Sequence, residues 1–140
     1  MLFSLNKKYA IVERIIAIAI LVLVAAAIFF AFLSAKKTTR DKQRVVDVNQ
    51  MKAALDLYYK ENGYYPYGQG INIPSGMADY ISFWPTAPKP ADGNCTNTQN
   101  NYFYSQSSDG SDFSLTFCLG PSANGYSAGY HTLTSKGIRS

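Results

Sequence analysis

Two cysteines carry the most reactive side chains of this 140-residue chain, and their surroundings decide what chemistry is open to them. Cys95 and Cys118 lack the C-x-x-C spacing of redox-active thiols. The chain contains no third cysteine and no nearby histidine that would complete a zinc site. A lone pair in a region rich in tyrosine, serine and glycine favours a disulfide, and therefore an oxidising compartment outside the cytoplasm.

The other candidate catalytic or metal-binding residues indicate no reaction. His131 is the only histidine and lies on a predicted strand, so we interpret it as a surface residue of that strand and not as a catalytic base. Asp109 and Asp112 flank Gly110 and Ser111, which favours turn formation over calcium binding. We therefore predict that the protein is not an enzyme and has no catalytic, cofactor-binding or metal-binding residues.

An apolar segment near the N-terminus follows two ionisable residues. Ile15 to Leu33 are nineteen uncharged residues, and a helix of that length spans roughly 28 Å, about the thickness of a bilayer's hydrocarbon core. Glu13 and Arg14 stand at its start, where an ion pair or a position at the membrane interface lowers the cost of insertion. We predict a short basic segment over residues 1–8 and a transmembrane helix over residues 9–35. A cleaved signal peptide is less favoured, because apolar residues continue to Leu33.

The helical pattern continues beyond the apolar segment. One apolar stripe has the spacing of a helix face, and neither proline nor glycine interrupts it before the Asn62-Gly63 pair and Pro66. We predict one continuous helix from about Tyr9 to Glu61, with an amphipathic part over residues 36–61. The stripe consists of Val45, Val48, Met51, Leu55 and Tyr58.

Residues 36–140 form the predicted head domain, in which a loop over residues 62–101 precedes the sheet. This loop is rich in proline, glycine and asparagine. Four of its aromatic residues are expected to cover the helix stripe: Tyr65, Tyr80, Phe83 and Trp84. Tyrosine-rich surfaces also bind sugars, but the sequence does not identify polar groups that would fix one.

Period-two alternation after the loop predicts a small antiparallel sheet. Strands are expected at residues 102–106, 113–119 and 130–134, with Lys136-Gly137 ending a three-stranded meander over residues 102–135. The face of the middle strand that carries Phe113, Leu115 and Phe117 should pack on the helix. The predicted fold class is α+β: a long N-terminal helix, transmembrane in its first half, packed against a three-stranded antiparallel sheet.

Positive charge is concentrated next to the apolar segment. The net charge is +4, and the segment from Lys36 to Arg44 carries five lysine or arginine residues against Asp41. Anionic lipid headgroups are the nearest partner for these charges, and we expect no nucleic acid partner. Counting positive charges on either side of the apolar segment favours a cytoplasmic C-terminus, whereas the cysteine pair favours a head outside the cytoplasm. We give the cysteines more weight.

The run from Tyr9 to Pro66, with its YAIVER opening and its "ALDLYY" and "NG.YP" motifs, resembles the N-terminal helix of type IV pilins and of type II secretion pseudopilins. In that family a prepilin peptidase removes a short leader, the new N-terminus is methylated, and a glutamate lies four residues further on. The matching positions here are Tyr9 and Glu13. The resemblance implies a single-pass protein of the cytoplasmic membrane, with its head outside the cytoplasm and its stem bundled with other stems.

Three departures from the family pattern lead to separate expectations. Lys8 replaces the glycine after which the peptidase cuts, so we expect the leader to stay attached and Tyr9 to remain unmethylated. Val22 and Phe30 replace helix-breaking residues of the stem, which predicts an unbroken helix. Without a free amine at Tyr9, Arg14 of a neighbouring subunit becomes the expected partner of Glu13.

These observations favour a pilin-like or pseudopilin-like structural subunit of an extracytoplasmic filament. Its expected partners are copies of itself or related subunits, membrane lipid, and the peptidase and assembly machinery of such systems. The alternative is a membrane-anchored binding or sensor module with a pilin-like head that never polymerises. The atypical processing position favours the alternative, whereas the small residues of the stem, which permit close helix packing, favour the filament.

Overall fold

The computed structural model describes residues 2–120 and 125–140, with side-chain surroundings described from residue 11 onward. The chain divides into two compact units, Met1–Lys36 and Lys37–Ser140. In chain order the elements are helix α1 (Leu2–Asn62), strand β1 (Gln69–Gly70), a 3₁₀ turn (Met77–Asp79), and strands β2 (Phe103–Gln106), β3 (Phe113–Leu119), β4 (Gly129–Thr134) and β5 (Gly137–Arg139).

The long N-terminal helix expected from the sequence is confirmed, and α1 extends beyond the predicted residues 9–61 at both ends. No proline or glycine occurs within it, so no residue lacks the backbone N–H group or has the conformational freedom of glycine. The helix ends where Gly63 adopts a left-handed conformation with φ of 79°. The Gly63 N–H donates to the Tyr59 carbonyl at 2.8 Å, which satisfies one of the last helical carbonyls.

In the second unit, one face of α1 forms one side of the hydrophobic core. The predicted stripe is buried along its whole length, and the side chains of Val48, Met51 and Leu55 have no exposed surface. The opposite side comes from one face of the sheet, with Tyr104, Leu115, Phe117 and Leu119 fully buried, and residues of the long loop complete the core. The head is therefore a helix packed on an antiparallel sheet.

The predicted number of three strands is wrong, because the sheet has five antiparallel strands in the order β1-β2-β3-β4-β5. The first additional strand, β1, lies inside the predicted loop and pairs Gln69 with Ser105. The second, β5, begins at Gly137, where the meander was expected to end, and pairs with β4 across a two-residue turn. Both are too short to show an alternating pattern, which is why the sequence did not reveal them.

His131 is buried, so its interpretation as a surface residue is also wrong. Its side chain is 1% exposed, and its ring stacks on Phe117, the residue opposite it on β3, at 5.4 Å between centroids. Its Nε2 lies 2.8 Å from the Ser127 carbonyl, and its Nδ1 lies 3.2 Å from the Ser140 hydroxyl. The histidine therefore fills the inner face of the sheet with its polar atoms partnered.

The aromatic residues of the long loop cover the helix as expected, with one exception. Tyr65 is buried in the core, and Tyr80 and Trp84 pack against it. The Tyr80 hydroxyl donates to Glu61 at 2.6 Å, which ties the loop to the last turn of α1. Phe83 does not cover the stripe, because 65% of its surface is exposed.

Candidate functional surface

The first candidate surface is the apolar face of α1 in the unit Met1–Lys36. By length and composition this helix is able to cross a membrane, and its most apolar window is 0% buried within the chain. The side chains of Leu23 and Phe30 are 70% and 68% exposed. Exposed apolar surface on this scale marks contact with lipid or with another protein. The arrangement is consistent with single-pass anchoring.

The residues that the sequence linked to assembly and processing lie at the start of this surface. Glu13 and Arg14 are both exposed, and neither forms an ion pair with a described side chain. Lys8 and Tyr9 belong to the helix, and their side chains lie outside the described residues. Glu13 thus has no ion-pair partner among the side chains that the structure describes.

The second candidate feature is a cluster of buried charges in the unit Lys37–Ser140. Arg40 donates two hydrogen bonds to Asp92, from Nε at 2.7 Å and from Nη2 at 2.6 Å. Arg44 reaches the same carboxylate with Nη1 at 3.1 Å. Asp92 is 3% exposed, and the hydrogen bonds from Arg40 hold the pKa of its carboxyl below its usual range. One carboxylate of the long loop thus binds two arginines of α1.

Arg44 is the centre of the cluster and is 1% exposed. Besides Asp92, its guanidinium donates to Asp41 at 2.5 Å, to the carbonyls of Pro88 and Pro90 at 2.9 and 3.1 Å, and to Asn100 at 3.1 Å. An arginine is buried at tolerable cost only when its donors are satisfied. The loop supplies all of these partners except Asp41, so Arg44 adds several hydrogen bonds to the contact between the loop and α1.

Asp41 has a different environment. One of its oxygens accepts hydrogen bonds from Arg44 and from the Gly120 N–H, the latter at 3.2 Å. The other oxygen, Oδ2, is buried without a hydrogen-bond partner among the described residues. Burial raises the pKa of Asp41, in opposition to its neighbours Gly120 and Arg44. The two carboxylates of the cluster therefore respond in opposite directions to their surroundings.

The structure contains the disulfide that the sequence predicts. Cys95 and Cys118 are bonded at 2.00 Å, with their Cα atoms 5.9 Å apart. This bond fixes the loop to β3 three residues after Asp92. A Cβ atom on Gly120 would lie 2.3 Å from the Asp92 Cβ, so only glycine permits this approach. Disulfide, glycine and ion pairs together hold the loop against β3 and α1.

The charges from Lys36 to Arg44 do not form one surface facing lipid, as the sequence led us to expect, because some of them belong to the buried cluster. Lys36, Lys37 and Lys42 are exposed, whereas Arg44 is buried. A signal was present, because Asp41 and Arg44 continue the spacing of three and four residues that marks the buried stripe from Val45 onward. Asp92 and Asn100 lie in a loop without periodicity and gave no such signal.

Among the described residues, no group of three or more histidine, cysteine, aspartate or glutamate side chains is arranged to hold a metal ion. Asp109 accepts hydrogen bonds from the hydroxyls of Ser107 and Ser111 at 2.7 and 2.8 Å, within the turn between β2 and β3. Asp112 accepts from the N–H groups of Phe113 and Ser135. Both aspartates thus have partners of the kind that turn formation requires.

Comparison with known proteins identifies no protein-family model, no curated protein and no solved structure that matches this chain. The geometry and the sequence pattern are therefore the basis for a functional assignment.

Proposed function

We propose that this chain is a pilin-like or pseudopilin-like structural subunit of an extracytoplasmic filament, assembling through its apolar N-terminal helix. The observation that carries the proposal is the division of one helix into two uses. Residues 11–33 expose their large apolar side chains, while those after Lys37 bury a stripe against an antiparallel sheet. A single helix that supplies both an apolar stem and the core helix of the head suits a subunit that bundles through its stem and displays its head.

The disulfide supports a location for the head outside the cytoplasm, where such bonds persist. The segment Lys36–Arg44 contributes less free positive charge than its composition implies, because Arg40 and Arg44 are bound to Asp92. The charge count that favoured a cytoplasmic head is correspondingly weaker. Lys36, Lys37 and Lys42 remain exposed and suit contact with anionic headgroups.

Assembly is tested at Glu13 and Arg14, because an unpaired carboxylate drawn into a membrane-like core costs about 2.5 kcal/mol or more. If Glu13 pairs with Arg14 of a neighbouring subunit, then Glu13→Ala and Arg14→Ala each reduce filament yield. The exchange variant, Glu13→Arg with Arg14→Glu, restores part of it. Yield is measured by quantifying sheared filaments and by cross-linking between stems in native membranes.

The matched control is Lys52→Ala, which removes a surface charge from the same helix in the head and should leave yield unchanged. The Cys95–Cys118 disulfide should form in every variant, since both cysteines are unchanged. Unchanged yield in both single variants, with the protein still inserted in the membrane, would contradict the proposed pairing. Absence of any stem-to-stem cross-link in the unaltered protein would instead favour a non-polymerising anchored module.

Processing is tested separately by the mass of the protein isolated from native membranes. Because Lys8 stands where the family has glycine, we expect the leader to be retained. A chain that begins at Tyr9, with or without a methylated amine, would show ordinary processing and would remove the need for Arg14 as the partner of Glu13.

A further inference from the structure

A polar cleft lies beside the short edge of the sheet, in the head and away from the charge cluster. Its volume is about 190 Å³, and it is lined by Tyr67, Gly68, Gln69 and the four residues Ser105 to Ser108. Tyr67 is 80% exposed. A single exposed aromatic residue is common on protein surfaces, so the polar groups around it decide whether the cleft is a binding site.

Three polar side chains of the cleft are uncommitted. Ser107 is engaged within its turn, since its hydroxyl donates to Asp109 at 2.7 Å. Gln69, Ser105 and Ser108, in contrast, make no side-chain hydrogen bond within the described part of the chain. An amide and two hydroxyls can both donate and accept hydrogen bonds. They offer a ligand a set of hydrogen-bonding partners.

The walls of the cleft are held in place before any ligand arrives. Gln69 is paired with Ser105 across β1 and β2. The Tyr67 carbonyl accepts from the Ser75 N–H at 3.0 Å, and the Gly68 carbonyl accepts from the Gln106 N–H at 3.2 Å. At Gly68 a side chain would meet Pro74 at 3.2 Å, so a glycine suits the floor. A prearranged site loses little conformational entropy on binding.

The chemistry of the lining indicates an uncharged ligand with both apolar and hydroxyl surfaces. Among the described residues, no lysine, arginine, aspartate or glutamate lines the cleft. The face of an aromatic ring has a negative electrostatic potential and attracts the weakly positive C–H groups of a saturated ring. Amide and hydroxyl groups form hydrogen bonds with the hydroxyls at the edge of such a ring. Sugars combine these two properties. The uncharged surface continues along the outer face of the sheet, where Phe103 is 40% exposed and Ser114 lies opposite Ser105.

We propose that this cleft binds a neutral saccharide, with one ring stacked on Tyr67 and its hydroxyls bonded to Gln69, Ser105 and Ser108, and with further rings extending toward Phe103. Gln69, Ser105 and Ser108 are the polar partners that the tyrosine-rich sequence left undefined. Saccharide binding concerns the head alone and is independent of whether the stem assembles.

The test uses the full chain in discs of zwitterionic lipid, titrated calorimetrically with the neutral tetrasaccharides of glucose (α- and β-linked), mannose and N-acetylglucosamine, and with tetragalacturonate as the anionic comparison. At least one neutral tetrasaccharide should bind. Tyr67→Ala should weaken binding about tenfold, and Tyr67→Phe should retain it, because stacking needs the ring and not the hydroxyl. Gln69→Ala should weaken binding several-fold, roughly the effect of one lost hydrogen bond.

The matched control is Tyr130→Ala, which removes a tyrosine that is 50% exposed and outside the lining, and which should leave affinity unchanged. Because Tyr67 is so exposed, its replacement should not alter the unfolding temperature. If Tyr67→Ala does lower the unfolding temperature, Gln69→Ala tests the cleft independently. The proposal is overturned if no neutral tetrasaccharide binds, if only tetragalacturonate binds, or if Tyr67→Ala and Gln69→Ala leave binding unchanged.

Discussion

Replacing Asp92 by asparagine should strongly destabilise the head, because Asp92 is the buried carboxylate of the long loop that binds two arginines of α1. The Asp92 carboxylate accepts three hydrogen bonds from two arginines, and its side chain is 2% exposed. Asparagine keeps the size of the side chain but removes its charge, and it turns one acceptor into a donor that faces a guanidinium. Arg44, whose side chain is 1% exposed, is then left with a single carboxylate partner.

Breaking a buried ion pair costs about 3–5 kcal/mol. The lower end of that range applies here, because Arg44 keeps Asp41, the carbonyls of Pro88 and Pro90, and Asn100. A loss of about 3 kcal/mol corresponds to a fall in unfolding temperature of roughly 12 °C or more for a domain of this size. The assay is thermal unfolding of the full chain in detergent micelles, followed by near-ultraviolet circular dichroism of the head's aromatic residues.

The control is Lys52→Gln, which breaks the partly exposed i,i+4 pair with Asp56 on the same helix and should cost about 0.5 kcal/mol or less. Asp92→Asn indistinguishable from this control would refute the argument, because it would mean that Arg44 is satisfied without the loop's carboxylate. A large loss accompanied by an intact disulfide would locate the effect in the charge cluster.

The remaining predictions concern the same part of the head. The pKa of Asp92 is lowered in the folded state. Its contribution to the free energy of unfolding is therefore fully present above the ordinary pKa of 3.8 and is lost as pH falls through the lowered pKa of the folded state. The difference in unfolding free energy between wild type and Asp92→Asn should therefore shrink on acidification, and a difference constant from pH 7 to about pH 2 would contradict this. Replacing Cys95 and Cys118 together by serine should cost roughly 3 kcal/mol in chemical denaturation, on the chain-entropy estimate for a loop of this length; alkylation should find no free thiol in the unreduced protein. Gly120→Ala should cost roughly 1–3 kcal/mol, because its methyl group would overlap Asp92, and a variant as stable as wild type would show that the loop shifts without penalty.

The parts of the fold that repeat along the chain were predictable. The buried stripe of α1 and the alternation of β3 each extend over several residues, so their periods are visible in the sequence. The burial of His131 could have been predicted from the sequence. His131 lies two positions from Leu133, which is buried, and strand residues two apart share a face.

The parts that depend on one residue meeting another far along the chain were not predictable. Asp92 approaches Arg44 from 48 positions away, and nothing in the local sequence of the loop indicates that meeting. The cleft behind the saccharide proposal likewise requires β1, whose two residues, Gln69 and Gly70, carry no strand signal. The cysteine pair was identified because the chain offers only one possible pairing.

The lengths of the two outer strands limit how the head can associate with its own kind. β1 has two residues and β5 has three, so each edge of the sheet offers only a few unpaired backbone groups. Edge-to-edge growth of the kind that produces cross-β fibres needs longer, flatter edges. Any association between copies of this chain must therefore depend on side-chain contacts. An assembly of that kind should dissolve in mild detergent and should not bind amyloid dyes.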